Sequence, residues 1–320
     1  MLRKIELKKA VKGLIPMKLW NARRIASIIK QHKNVAAFWT PVIEAYYNGE
    51  IESYSLKPKK ELDTQKVIWQ YWGQGMDNVS LPGIVQICFD SVDRNKGAYR
   101  VIRLTDKTVS EYIDLPDFVW RKRENAQFTR TLFSDLLRIA LLSVYGGGGG
   151  VWGGVWLDAT ILLTGPLPDT YGKYDFFMFQ RSDEEKNKRY WKGVYAYYFG
   201  WRTDFKVKVL NSIIFARKDS VVISSLKDLL LYFWETQDSV PDYFFFQILF
   251  NELVTKRLSD RNCPVINDCI PHIIQTKING KYDDISFDEA LKLTNIHKMA
   301  YFDDAGIMRL KMILKQHGKV

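Results

Sequence analysis

Cysteine is scarce: Cys88, Cys263 and Cys269 are the only three in 320 residues. An odd count, with one C-x5-C spacing and no second pair, makes neither a disulfide framework nor a zinc site. Reduced thiols in a core are the simpler reading. Long apolar runs are missing too. Nothing approaches the ~18 residues that mark a membrane-spanning helix. The N-terminal MLRKIELKKAVKGLIP scatters charges where the apolar stretch of a signal peptide would lie. A cytoplasmic protein is expected. No internal repeat of ~20–50 residues is present, which excludes solenoids and propellers.

Acidic residues are nearly absent from one end only. Residues 1–34 hold ten Lys or Arg against Glu6 alone, so this end carries +9 of the formal +11. The rest of the chain is close to neutral. A nucleic-acid groove through the fold requires a basic stripe, and the charge map has none, so nucleic acid is excluded as a partner. Leu2, Ile5, Leu14, Ile15, Leu19, Trp20, Ile25, Ile28 and Ile29 interleave with the cations. That mixture suits a segment lying on an anionic membrane surface, each cation adding about 1 kcal/mol. A peripheral position on the inner membrane face is therefore open; the alternative is an ordinary solvated helical face.

What is present points to a folded α/β protein. The chain is 47% hydrophobic and 14% aromatic, too apolar for disorder. Residues 1–63 read as a basic helical segment, with IASIIKQHK and NVAAFWTPVIEAYYNGEI at helical spacing. LKPKKELDTQ reads as a linker into a second unit, 64–320. There KVIWQYW reads as a buried strand and PGIVQICFDSVDRNKG as a helix. YRVIRLTD follows as a strand, then a short helix in DKTVSEYID. This alternation predicts a Rossmann-like, mostly parallel sheet. VWLDAT, KYDFFMFQ, VYAYYFG and SIIFA are further strand candidates. Helices are expected around 126–144, over 220–238 and 241–258, and in DEALKLTN and IMRLKMILKQHG.

The stretch from Ser134 to Pro168 holds the chemistry. Asp135 and Arg138 stand three apart on one helix, where a surface ion pair is the default. Apolar residues surround them, however, from Phe133 to Leu142. A helix apolar nearly all round is buried, and charges on it need partners. A buried carboxylate and guanidinium can accept from and donate to sugar hydroxyls. Asp158 ends an apolar strand, the place where open α/β sheets bind ligands. Thr160 follows it at the spacing where a second carboxylate would complete a divalent-metal motif.

The tract GGGGGVWGG, 146–154, contains G-x-G-x-x-G, but it follows a helix and precedes a strand. That is the wrong context for a dinucleotide fingerprint. It is expected either to let backbone approach a ligand or to be a loose insertion. His297-Lys298 could serve a metal or a diphosphate, although a lone His is usually structural. Asn211 enters the strand SIIFA, and Asp242 heads an aromatic helix as a cap would.

Together, IWQYW, F-S-D-L-L-R-x-x-x-L-x-x-Y-G-G, G-G-V-W-L-D-A-T, LNSIIFA, PDYFFFQILF and IHKMAY resemble bacterial capsular polysaccharide synthesis glycosyltransferases. These are similar to glycosyltransferase family 32, the group whose sugar-binding region contains a DXD motif. The resemblance covers roughly 64–302. It implies a GT-A fold, a nucleoside-diphosphate sugar donor such as a UDP-hexose, and transfer with retention. The acceptor would be a capsular or other polysaccharide repeat unit, lipid-linked. Trp69 and Gln70 would lie near the base. Ser134, Asp135 and Arg138 would hold the donor sugar, with Asp158 as the first DXD position and Asn211 approaching from the next strand. His297 and Lys298 would close over the diphosphate, and Asp242 would face the acceptor or the reacting centre. Mn2+ or Mg2+ would be held by Asp158, Thr160 and His297. Two departures stand out: Thr160 replaces the second carboxylate, and nine residues separate Tyr145 from Val155. They keep open a catalytically inactive GT-A-like protein that only binds sugar nucleotides.

Overall fold

The computed structural model describes residues 17–64, 66–76, 81–146, 154–280 and 282–319, with side chains of the first helix from Asn21 on. Arg3, Lys4, Lys8, Lys9, Lys12, the Lys18 side chain and glycine-tract residues 147–153 lie outside that description. Among the described residues no helix is long and apolar enough to cross a membrane.

The two N-terminal helical stretches run on as one helix, α1 (Met17–Tyr47), with Pro41 inside it. Pro41 has no N–H for the preceding turn. One residue earlier, the Thr40 hydroxyl donates to the Ala36 carbonyl, 2.8 Å away. Ile28, Trp39 and Ile43 of α1 are buried in the main core. Strand β1 (Val67–Tyr71), helix α2 (Gly83–Asn95) and strand β2 (Arg100–Leu104) come next. A 3-10 turn at Val109–Glu111 and α3 (Asp117–Arg123) lead to α4 (Arg130–Tyr145). β3 (Gly154–Leu157) and β4 (Ile161–Leu163) flank Asp158. Then come β5 (Phe176–Gln180), α5 (Lys188–Val194), β6 (Val209–Ala216), α6 (Val221–Thr236) and α7 (Phe245–Lys256). α8 (Ile273–Ile278), α9 (Phe287–Leu293), β7 (Ile296–Lys298) and α10 (Asp304–Gln316) close the described chain.

The main sheet has the order β2-β1-β3-β6-β5. β1 pairs in parallel with β2 and β3, while β6 is antiparallel to both β3 and β5. Four of the five strands therefore point one way, and β6 alone is reversed. The expectation of a mixed α/β fold with a mostly parallel sheet is met. β1, β3, β5 and β6 are buried along their whole length, which explains their continuous apolar sequences. β4 and β7 form a separate two-stranded pair, with Ile161 opposite Lys298.

VYAYYFG is not a strand. It begins at the end of α5 and continues in turns, where Phe199 packs against Trp191 and His272. Its aromatic run has strand-like composition, but the rings build a local cluster instead of a ladder.

Two apolar clusters fill the molecule. The larger takes the sheet, α1, α4, α6 and α7; the smaller takes α2, α8, α9 and α10. The segment after β3 runs along their seam. Leu157, Ile161 and Leu163 enter the larger cluster, while Ala159 and Leu162 enter the smaller. Asp158 and Thr160 are thus anchored on both sides.

Candidate active site

A cavity of about 320 Å³ opens at this seam, at the carboxyl ends of β1 and β3. α4 starts beside it. Thr129 caps that helix through its side chain to the Leu132 N–H, which brings Arg130, Thr131, Ser134, Asp135 and Arg138 to the cavity wall. Because β6 runs against β3, the beginning of β6 lies next to the end of β3. Asn211 and Ser212 therefore stand beside Asp158, whose N–H donates to the Ser212 carbonyl at 2.9 Å.

The charges form one network. Arg138 Nη2 lies 3.0 Å from Asp135 Oδ1, and Arg138 Nη1 lies 3.3 Å from Asp158 Oδ1. Arg138 also donates to the Ser134 carbonyl and hydroxyl, both at 2.9 Å, and to the Asn211 carbonyl. The Asn211 amide donates to Asp135 at 2.9 Å and accepts from Gln247 at 3.1 Å. Trp156 Nε1 donates to Asp158 Oδ1 at 2.8 Å. Lys298 completes the far wall: its ammonium donates to Thr160 Oγ1 and stands 3.9 Å from Asp158 Oδ2.

One guanidinium thus faces two carboxylates, and their environments separate them. Burial pushes the Asp135 carboxyl up to about 7; the Asp158 charge adds to this, against Arg138 and Asn211. Burial acts on Asp158 as well, but Arg138, Lys298 and the Trp156 and Ser212 hydrogen bonds outweigh it and hold it below its ordinary value. Gln247 Oε1 and Trp72 Nε1 are buried without a partner among the described residues. Both residues line the cavity.

Seven residues singled out in the sequence meet here: Ser134, Asp135, Arg138, Asp158, Thr160, Asn211 and Lys298. Four do not line this cavity. Trp69 is fully buried on β1, with its ring against Tyr112 and Tyr145. Gln70 is buried beside it and accepts from Arg103 Nε at 3.0 Å. β1 is interior to the sheet and covered on both faces, so neither side chain opens to a ligand. His297 is fully buried and faces Thr164 Oγ1 at 3.0 Å. Successive strand residues point to opposite faces, so Lys298 reaches the cavity and His297 turns away. Asp242 lines a neighbouring pocket with Ile28, Gln31 and His32; its carboxylate accepts from the Phe244 N–H at 2.6 Å, a turn before the helix, whose N-cap is Phe244 and not Asp242.

The glycine tract does not approach the cavity at its described ends. Gly146 and Gly154 sit at the opposite end of β3 from Asp158, about 13 Å away at strand rise. Gly146 is required there for a different reason: a Cβ would stand 2.4 Å from the Lys218 amide nitrogen.

Sequence reasoning missed Trp72, Gly73, Arg130, Tyr243, Gln247 and Tyr301, all of which line the cavity. Gly73 carried a signal. It ends the first strand, and a Cβ there would lie 2.5 Å from the Tyr71 hydroxyl and 2.7 Å from Arg130 Cδ.

The profile of capsular polysaccharide synthesis proteins matches residues 20–316. The chain belongs to this family. No curated protein matches it. Among solved structures it is similar to one titled PaToxG Glycosyltransferase, at 10% identity over 72% of this chain and 80% of that one, with a TM-score of 0.32. A likeness that distant carries no statement about activity.

The residues of this capsular polysaccharide synthesis protein fit a divalent ion poorly. Among the described residues, no group of three or more His, Cys, Asp or Glu could hold a metal. Asp158 is already flanked by Arg138 and Lys298. Thr160 Oγ1 accepts from Lys298, and His297 lies on the other face of β7. The Asp158–Thr160–His297 set expected for Mn2+ or Mg2+ is therefore not brought together.

Proposed function

We propose that this chain is a glycosyltransferase of GT-A type. It would move a hexose from a nucleoside-diphosphate sugar, a UDP-hexose first among candidates, to a lipid-linked capsular or other surface polysaccharide repeat unit, with retention. The observation that carries this reading is the Asp135–Arg138–Asp158–Asn211 network, buried yet open to a cavity at the carboxyl ends of parallel strands. Membership of the capsular polysaccharide synthesis family supports it.

Each part of a sugar nucleotide has a chemical match along the wall. Trp72 offers a half-buried ring as a stacking face for a base. Arg130 and Thr131, in the first turn of α4, suit phosphate oxygens. Asp135, Asn211 and Gln247 suit hydroxyls of the sugar. In transfer, the anomeric C–O bond breaks and its electron pair goes to the diphosphate oxygen. The acceptor oxygen bonds the anomeric carbon, and its proton leaves to the departing diphosphate. The carbon is oxocarbenium-like at the transition state, and the nearby carboxylates favour it.

The Thr160 position favours a second reading, a protein that binds the donor without transfer. One experiment separates the two. Purified protein is screened with nucleoside-diphosphate sugars for thermal stabilisation and for release of nucleoside diphosphate. Stabilisation with release is expected for at least one donor. Stabilisation without release, with acceptor present, selects the inactive reading. No stabilisation by any donor sinks both.

A further inference from the structure

We propose that Lys298 supplies, as part of the fold, the positive charge that two-carboxylate sites obtain from a divalent ion, so that the nucleoside diphosphate binds and departs without metal. This rests on the donor reading above and concerns how its leaving group is held.

Three observations converge. The first is position. Lys298 lies opposite Ile161 in the β4–β7 ladder, and the next amide, Met299 N–H, donates to the Thr160 carbonyl at 2.9 Å. Its backbone is therefore fixed against the segment that carries Asp158 and Thr160. The second is occupancy of the donor atoms. Thr160 Oγ1, the atom standing where a metal-binding carboxylate would be, already accepts from the Lys298 ammonium. Asp158 Oδ1 is taken by Trp156 and Arg138, and Oδ2 faces Lys298. The third is charge. An ion beside Asp158 would face the positive charges of Arg138 and Lys298.

An ammonium has three N–H donors. One goes to Thr160 and one points towards Asp158, which leaves one for a phosphate oxygen on the cavity side. Lys298 acts as a countercharge that lowers the energy of the departing diphosphate; burial lowers its pKa, and the Asp158 carboxylate opposes that shift. Its side chain is partly exposed, open enough to meet a ligand but held by its neighbours.

The test is calorimetric binding of UDP and of GDP to the full chain, in EDTA and in manganese, for wild type, Lys298→Met, Lys298→Arg and Lys298→Met/Thr160→Asp. Wild type is expected to bind one of the two nucleotides in EDTA within about threefold of its affinity in manganese. Lys298→Met should weaken binding by about tenfold or more in EDTA, the worth of a charge-assisted hydrogen bond. Lys298→Arg should recover part of that loss, which a merely misfolded site would not. The double variant should bind only in manganese. Wild-type binding that requires manganese overturns the proposal and leaves the donor reading standing. Undiminished binding by Lys298→Met overturns it as well. No binding of either nucleotide in either buffer overturns it together with the donor reading.

Discussion

Among the described residues two buried arginine–aspartate centres stand out, and they differ in their surroundings. Arg181 and Asp268 are 1% and 0% exposed; Arg138 and Asp135 are 3% and 7% exposed. The first is closed. Arg181 meets Asp268 with two parallel bonds of 2.8 and 2.9 Å, and it also donates to the Gly200 and Tyr198 carbonyls. Tyr198, Phe199 and Trp201 lie against the guanidinium. One cation there meets one anion, and four of the five guanidinium N–H groups are engaged. At the second centre the groups line a cavity: Arg138 bridges Asp135 and Asp158, and Lys298 stands 3.9 Å from Asp158, with Gln247 Oε1 unpartnered among the described residues. A closed pair holds a fold together. A network that lines a cavity can still meet a ligand, and that openness separates a candidate site from a strut.

The comparison is breakable. Arg181→Met should cost the most, about 3–5 kcal/mol of stability by chemical denaturation, because it strands a buried carboxylate. Donor affinity of the protein that remains folded should not change. A stability loss under about 1 kcal/mol would remove the closed centre's status as a strut.

Asp135→Asn keeps the shape and removes the charge. Transfer should fall about 10²-fold, the scale of losing a preorganised electrostatic contact. The melting temperature should move less than in Arg181→Met. Full activity in the folded variant would reduce the Arg138 centre to a second strut.

The pH response sharpens the difference. Asp135 is held up to about 7, so it gains a proton as pH falls through that value. The protonated form can no longer accept two sugar hydroxyl bonds. Donor affinity should weaken by up to about tenfold per pH unit below 7, and Asp135→Asn should flatten the profile. The stability sign is opposite. A raised carboxyl favours the folded state below its ordinary 3.8, and this contribution is lost as pH rises through about 7. Arg181–Asp268 should give neither signature at the donor site. A donor-affinity profile that is flat in wild type from pH 6 to 8 removes Asp135 from the sugar contacts.

The smallest effect belongs to Gln247→Met. It removes the unpartnered acceptor and the bond to Asn211, and should weaken donor binding by about 1 kcal/mol with little change in fold. Unchanged affinity would mean that no ligand hydroxyl uses Gln247 Oε1.

Much of the sheet and seven of the cavity residues were legible in the sequence for definite reasons. A helix as apolar as α4 had to be buried, so its Asp and Arg needed partners. A strand ending in Asp158 had to present it at the sheet's carboxyl edge. Other residues were not legible. IWQYW contains two Trp, and β1 is buried on both faces, so no alternation marks which one leaves the sheet; Trp72 does, one residue past the strand. His297 and Lys298 were read as a pair because the short strand beneath them carries too little pattern to be seen. Tyr243, Gln247 and Tyr301 come to the wall by tertiary packing alone.

The bond between Lys298 and Thr160 spans 138 residues of sequence. A ribosome adding ~5–20 residues per second leaves roughly seven to twenty-eight seconds between making the two. Through that interval the nascent chain holds its carboxylates without their closing cation. The proposed grip on an anionic nucleotide therefore forms only after Ile296–Lys298 has paired with β4, so a chain halted before Ile296 would carry both carboxylates without Lys298.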